Sequence, residues 1–154
     1  MKAHEADVKR ILGILAYLVK DSDPDGLELF FTCSRQKFKE KNPSKLVAGF
    51  AKNTPRGVTD IRIRLSSIID DYIKGFDRKW YKKVFKPIRS LNIYVLTDGI
   101  WHPDADLRPP MRRLIDKLEK NGQYEVGIQF LSFGNDLEAL KRLDDLDDNF
   151  GLSM

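Results

Sequence analysis

The sequence predicts an α/β domain in which helices flank a mostly parallel sheet. Three observations carry this. Residues 91–97 and 126–133 are near-continuous apolar runs rich in Val, Ile, Leu and aromatic residues, the pattern of strands covered on both faces. Segments with helical periodicity lie between and around these runs. The order is helix, strand, short strand, helix, helix, strand, helix, strand, helix, and parallel strands need such intervening crossovers.

In chain order, Val8, Ile11, Leu12, Leu15, Leu18 and Val19 recur at three- and four-residue steps and share one helix face, which Ile14, Ala16 and Tyr17 widen. A dense turn signal, Asp21-Ser22-Asp23-Pro24-Asp25-Gly26, stops that helix. Residues 27–32 are strand formers, and residues 36–40 make a second short strand whose Lys37 and Lys39 suit an exposed edge. Asn42-Pro43-Ser44 opens a short helix with Leu46, Val47 and Phe50 on its apolar face. Residues 53–59 read as a loop. A second clear helix spans 60–74, with Ile61, Leu65, Ile68, Ile69 and Tyr72 on one face and Gly75 as its stop. After the strand at 91–97, residues 100–110 read as an irregular loop holding Pro103, Pro109 and Pro110. Met111, Leu114, Ile115 and Leu118 mark a helix closed by Asn121-Gly122. Gly134-Asn135-Asp136 caps the last helix, which carries Leu137, Leu140, Leu143 and Leu146.

Composition narrows the function classes. The 154 residues suit one domain. Cys33 is the single cysteine, so no internal disulfide forms, and with His4 and His102 it falls short of the four ligands of a closed Cys/His zinc site. Apolar stretches fall far below the ~20 residues of a membrane helix. Residues 1–7 bring acidic groups at once and resemble no secretion signal, so an intracellular, cytoplasmic protein is expected. With 27 Lys and Arg against 23 Asp and Glu, the net charge of +4 is small beside that of nucleic-acid binders.

Ligands of open α/β sheets bind beyond the carboxyl ends of the strands, which directs attention to Asp98. It follows the apolar run 91–97, and Gly99 lets the backbone turn behind it. Its carboxylate reads as a metal ligand, as a catalytic acid, or as the closure of the following turn. Thr59, just before a helix, reads first as a cap. Paired with Asp98, its hydroxyl forms part of the hard, oxygen-rich site that Mg²⁺ prefers.

Arg56-Gly57-Val58-Thr59-Asp60-Ile61 and Val95-Leu96-Thr97-Asp98-Gly99 resemble the second and third metal loops of the von Willebrand factor type A (vWA) domain. Residues 126–136 are similar to that family's fifth strand and its exit, and residues 23–31 to the entry of its second strand in one subgroup. The resemblance therefore covers nearly the whole chain. It implies a Rossmann-like three-layer fold and a non-enzymatic protein-binding module with a metal-ion-dependent adhesion site, to which Thr59 and Asp98 contribute. The loops around that metal contact the partner in the family, so Ile100, Trp101 and His102 are expected to form a contact patch; a Trp101 folded onto the core is the other reading.

The family's Asp-x-Ser-x-Ser loop occurs nowhere in the sequence. The resemblance implies that the chain starts just after that loop, without the central first strand and three metal-coordinating side chains. Mg²⁺ held by Thr59 and Asp98 alone keeps most of its waters and binds weakly. The runs at 27–32 and 91–97 must then pair with each other, leave a gap, or recruit a strand from elsewhere, and a poorly stable or aggregation-prone chain is expected.

Two other classes compete. Asp98-Gly99 after a strand is similar to the start of haloacid-dehalogenase-type phosphoryl-transfer hydrolases, but position 100 is Ile where those need a second Asp. Arg78, Lys79, Lys82, Lys83, Lys86 and Arg89, interleaved with Trp80, Tyr81 and Phe85, could hold phosphates and stack bases; a solvated connector is the preferred reading. The acidic residues 144–148 read as a solvated helix face. His4 reads as solvated and Cys33 as a small, partly buried residue.

Overall fold

The structure is a computed structural model that describes residues 2–22, 25–34, 36–53, 60–77, 88–100, 102, 104–122 and 126–148. A single 3₁₀ turn, Lys2–His4, leads into α1 (Glu5–Val19). Then follow β1 (Leu27–Phe30), β2 (Lys37–Glu40), α2 (Pro43–Ala51), α3 (Ile61–Ile73), β3 (Leu91–Thr97), α4 (Arg108–Asn121), β4 (Val126–Ser132) and α5 (Leu137–Asp148). The chain is thus mixed α/β.

The expected single sheet does not form among the described residues. Two two-stranded sheets form instead: β1 with β2 antiparallel, and β3 with β4 parallel. The short link between β1 and β2 turns the chain straight back, which makes an antiparallel hairpin, with Leu27 opposite Glu40 and Phe30 opposite Lys37. Between β3 and β4 the chain crosses over through α4, which makes the pair parallel, with Leu91 opposite Val126 and Thr97 opposite Ser132. Of the three outcomes left open for the runs at 27–32 and 91–97, direct pairing is excluded: β1 and β3 belong to separate sheets.

Two apolar clusters match this division. One gathers Ile61, Leu65 and Ile69 of α3 with Leu114 and Leu118 of α4, and Ile93, Val95, Val126, Ile128 and Phe130 pack on it from the parallel pair. The other gathers Val8, Leu12 and Ala16 of α1 with Leu46 and Phe50 of α2 and Phe31, and receives Leu27 and Leu29 of β1, Phe38 of β2, and Leu96 and Phe133. The strand β3 serves both, through alternate residues on its two faces. Arg64 of α3 adds a polar tie, its Nε donating to Phe31 O at 3.1 Å and its guanidinium also reaching Ser34 O.

Helix ends follow local chemistry. Asn42 Oδ1 accepts from Ser44 N at 2.9 Å and Lys45 N at 3.3 Å, capping α2 as its sequence suggests. Gly122 closes α4 in the left-handed region, φ 64°. Asp136 Oδ1 accepts from Ala139 N at 2.9 Å and caps α5. Four expectations are corrected. The cap of α3 is Asp60, which accepts from Arg62 N at 2.9 Å, so the helix-capping role considered for Thr59 falls one residue later. Pro109 and Pro110 belong to the first turn of α4, where proline's missing N–H would have had no helical partner anyway. Gly75 is not left-handed; a Cβ there would come within 2.9 Å of Tyr72 O, so close approach, and not φ, favours glycine. His4 is half-buried rather than solvated, with Nε2 lying 3.2 Å from where a Gly134 Cβ would sit.

Candidate functional site

The carboxyl end of β3 closes on itself. Thr97, 7% exposed, turns its hydroxyl inward, where Oγ1 accepts from Gly99 N at 2.9 Å. Asp98 Oδ1 accepts from Ile100 N at 3.3 Å. Two successive side chains thus bond to backbone two residues ahead, the Asx- and ST-turn pattern, and they hold the exit in one shape. Of the readings open for Asp98, its Oδ1 serves the turn. Gly99 has φ 72°, and α5 crosses it so closely that a Cβ there would overlap the Ala139 Cβ and lie 3.1 Å from its Cα. Only glycine admits both the turn and the helix.

Beyond this turn Ile100 and His102 are exposed. Ile100 is 60% exposed, an apolar side chain facing solvent next to a carboxylate. His102 is tied to its own loop: Nδ1 accepts from Asp104 N at 3.3 Å, and its carbonyl accepts from Ala105 N at 2.9 Å. Asp98, Ile100 and His102, close in sequence beyond β3, make up the rim at this end of the strand. Thr59, Trp101 and the basic stretch 78–87 lie outside the described residues. Among the described residues no group of three or more His, Cys, Asp and Glu side chains is placed to hold a metal ion.

The base of the rim is braced at the start of α4. Arg108 donates its Nε to Asp106 Oδ1 at 2.9 Å and its backbone N to the same oxygen at 3.0 Å. The side-chain bond first, then the backbone bond, hold the Asp106 carboxyl below its usual range. A depressed carboxylate stabilises the fold above its unfolded pKa and loses that contribution as pH falls through the folded value. Asp106→Asn is accordingly expected to lower the melting temperature at pH 7 by no more than about 2 °C, because the pair is exposed. Melts at stepped pH should show that difference vanish in acid, where wild-type Asp106 is also neutral.

Sequence reading missed this brace, although Asp two residues before a helical Arg is a recognisable local signal. It also missed Arg64, whose backbone partners lie some thirty residues away. A groove of about 590 Å³ runs between α3 and α4, lined by Arg62, Ser66, Asp70, Asp71, Lys74 and Arg113, among others. Its cations are paired: Arg113 with Asp70 at 3.1 Å, Lys74 with Asp71 at 2.8 Å and Arg62 with Asp60 at 3.0 Å. Such internal pairing leaves little net charge for recognising an anion.

The expected solvated acidic face is present on α5, where Asp144, Asp145 and Asp148 are exposed. Cys33 is a half-buried free thiol. No helix among the described residues is long and apolar enough to cross a membrane. Comparison with protein-family models, curated proteins and solved structures finds no match.

Proposed function

We propose that the chain is a non-enzymatic protein-interaction module of the vWA type that meets a protein partner with the rim beyond β3. In this reading Ile100, Trp101 and His102 form the contact patch. Thr59 and Asp98 are the protein ligands of an incomplete metal-ion-dependent adhesion site, at which Mg²⁺ binds weakly. The observation that carries the reading is Ile100, 60% exposed directly after a rigid Asp98-Gly99 turn. An apolar side chain on a fixed support loses little entropy on contact, which suits an interface anchor.

Calorimetric titration with Mg²⁺ and with Mn²⁺ tests the metal half. Binding weaker than about 1 mM is expected of so small a donor set. Tight, stoichiometric binding would contradict an incomplete site. For the interaction half, proximity labelling in cells should lose the same neighbours in Ile100→Asp and in His102→Ala. Turnover of a phosphomonoester that Asp98→Asn abolishes would replace this reading with a hydrolase.

A further inference from the structure

We infer that Ser67 of α3 is a phosphorylation site for a basophilic protein kinase, and that its phosphate loosens α3 from the groove it shares with α4. The sequence supplies the recognition pattern. Arg62-Ile63-Arg64-Leu65-Ser66-Ser67-Ile68 sets arginines five and three residues before Ser67 and an apolar residue directly after it. A kinase that selects arginine at those two positions holds each guanidinium with carboxylates, a bidentate geometry that lysine does not reproduce. Ser66 lacks the spacing, because its arginines lie four and two residues before it. No other Ser or Thr of the chain has arginine at both positions.

The structure gives the hydroxyl access and room. Ser67 is exposed and lines the groove of about 590 Å³ between α3 and α4. Arg62 is exposed too, whereas Arg64 is half-buried and donates to Phe31 O and Ser34 O. A kinase reads its substrate as an extended segment, so α3 must open locally and release Arg64 first. Such openings are minor populations of the native chain, set by local packing. Leu65 and Ile69, buried in the α3–α4 cluster, therefore govern how often Ser67 is offered.

The step itself is a transfer from a nucleoside triphosphate. Ser67 Oγ attacks the γ-phosphorus, and the P–Oγ bond forms as the bond from phosphorus to the β–γ bridging oxygen breaks. The hydroxyl proton passes to a carboxylate of the kinase, and the nucleoside diphosphate leaves. The product carries about −1.5 to −2 charge at pH 7. Asp70 and Asp71 lie three and four residues on, the spacing of neighbours on a helix surface. The groove is lined by the cations Arg62, Lys74 and Arg113 and the carboxylates Asp70 and Asp71, so the phosphate turns its net charge from positive to negative. Each cation already holds a carboxylate: Arg62 with Asp60 at 3.0 Å, Lys74 with Asp71 at 2.8 Å and Arg113 with Asp70 at 3.1 Å. Any bond the phosphate gains is taken from one of these pairs. Arg113–Asp70 is the pair that ties α4 to α3 beside Ser67, so the closed helix is weakened relative to the open one.

Ser67 belongs to neither the rim nor the metal loops, so the proposal stands independently of the function proposed above. The test incubates the folded full chain with ATP, Mg²⁺ and a purified kinase selective for arginine at the two positions, and maps the phosphate by mass spectrometry. Phosphate is expected on Ser67, in wild type and in Ser66→Ala, and absent there in Ser67→Ala. Arg62→Ala, a change at an exposed residue, should slow transfer about tenfold. Ile69→Val, a mild truncation that leaves the chain folded, should speed it about two- to tenfold by enlarging the open population. The phosphorylated chain should melt about 2–4 °C below the unmodified one. Salt at about 1 M should remove most of that difference. The proposal is overturned if the folded chain takes no phosphate at Ser67, even where a peptide of residues 60–72 does. It is equally overturned if Ile69→Val leaves the rate unchanged, or if the phosphate leaves the melting temperature unchanged or raises it.

Discussion

Gly99→Ala should destabilise the chain by about 2–5 kcal/mol, as the left-handed backbone costs about 1–2 kcal/mol and overlap with α5 about 1–3 kcal/mol. Both terms come from one position. Its φ is 72°, and an added Cβ would run into Ala139. Ala139 is 4% exposed, so its methyl group is packed inside the fold and not in solvent. A double-mutant cycle in urea separates the two terms. Ala139→Gly alone should cost about 1 kcal/mol of helix propensity. In the double variant the overlap is relieved and the backbone strain remains, so it should be more stable than the sum of the single losses implies, by about 1–2 kcal/mol. Strict additivity would mean that α5 does not press on the turn. The result bears on function because the same turn holds Asp98 and aims Ile100. A variant that folds yet shifts this turn should alter the rim without touching it.

How much of this was legible in the sequence depends on how local each cause is. The helix over Val8 to Val19, though of its expected apolar face only Val8, Leu12 and Ala16 are buried, the run Leu91–Thr97, the Asn42 and Asp136 caps and the Gly122 stop were readable because each rests on residues within one or two turns. Pro109 and Pro110 misled because proline is as much at home in a first helical turn as in a loop. Strand pairing was less legible. Nothing local tells β1 to pair with β2 alone, and β3 with β4 alone, among the described residues; both follow from how the helices share out the apolar surface. The site divides in the same way. Thr97-Asp98-Gly99 announced a turn at a strand exit, and that turn exists. The crossing of α5 over Gly99 joins residues forty apart, and no short motif encodes it. Position 99 reads from sequence as a convenience of the turn, whereas the structure makes it a packing requirement as well.

The separation of the sheets leads to the other large effect. Leu12→Ala and Ile69→Ala should each cost about 2–5 kcal/mol, the range for truncating a large core side chain. Ile69 is 0% exposed in the α3–α4 cluster and Leu12 is 6% exposed in the α1–α2 cluster. Their effects should differ in reach. No ladder of backbone bonds joins β1 to β3; among the described residues, links between the halves include Leu96, Phe133, the Arg64 bonds to Phe31 and Ser34, and the Arg89–Asp25 pair at 2.7 Å. Chains open in cooperative units, and a unit held by a few side chains opens before one held by a ladder. Native-state hydrogen exchange should therefore show Leu12→Ala stripping protection from α1, α2, β1 and β2 while Ile93, Val95 and Thr97 keep most of theirs. Ile69→Ala should do the reverse, loosening α3, α4 and the parallel pair first. A uniform loss of protection in either variant would show that Leu96, Phe133 and Arg64 couple the halves as firmly as a continuous sheet would.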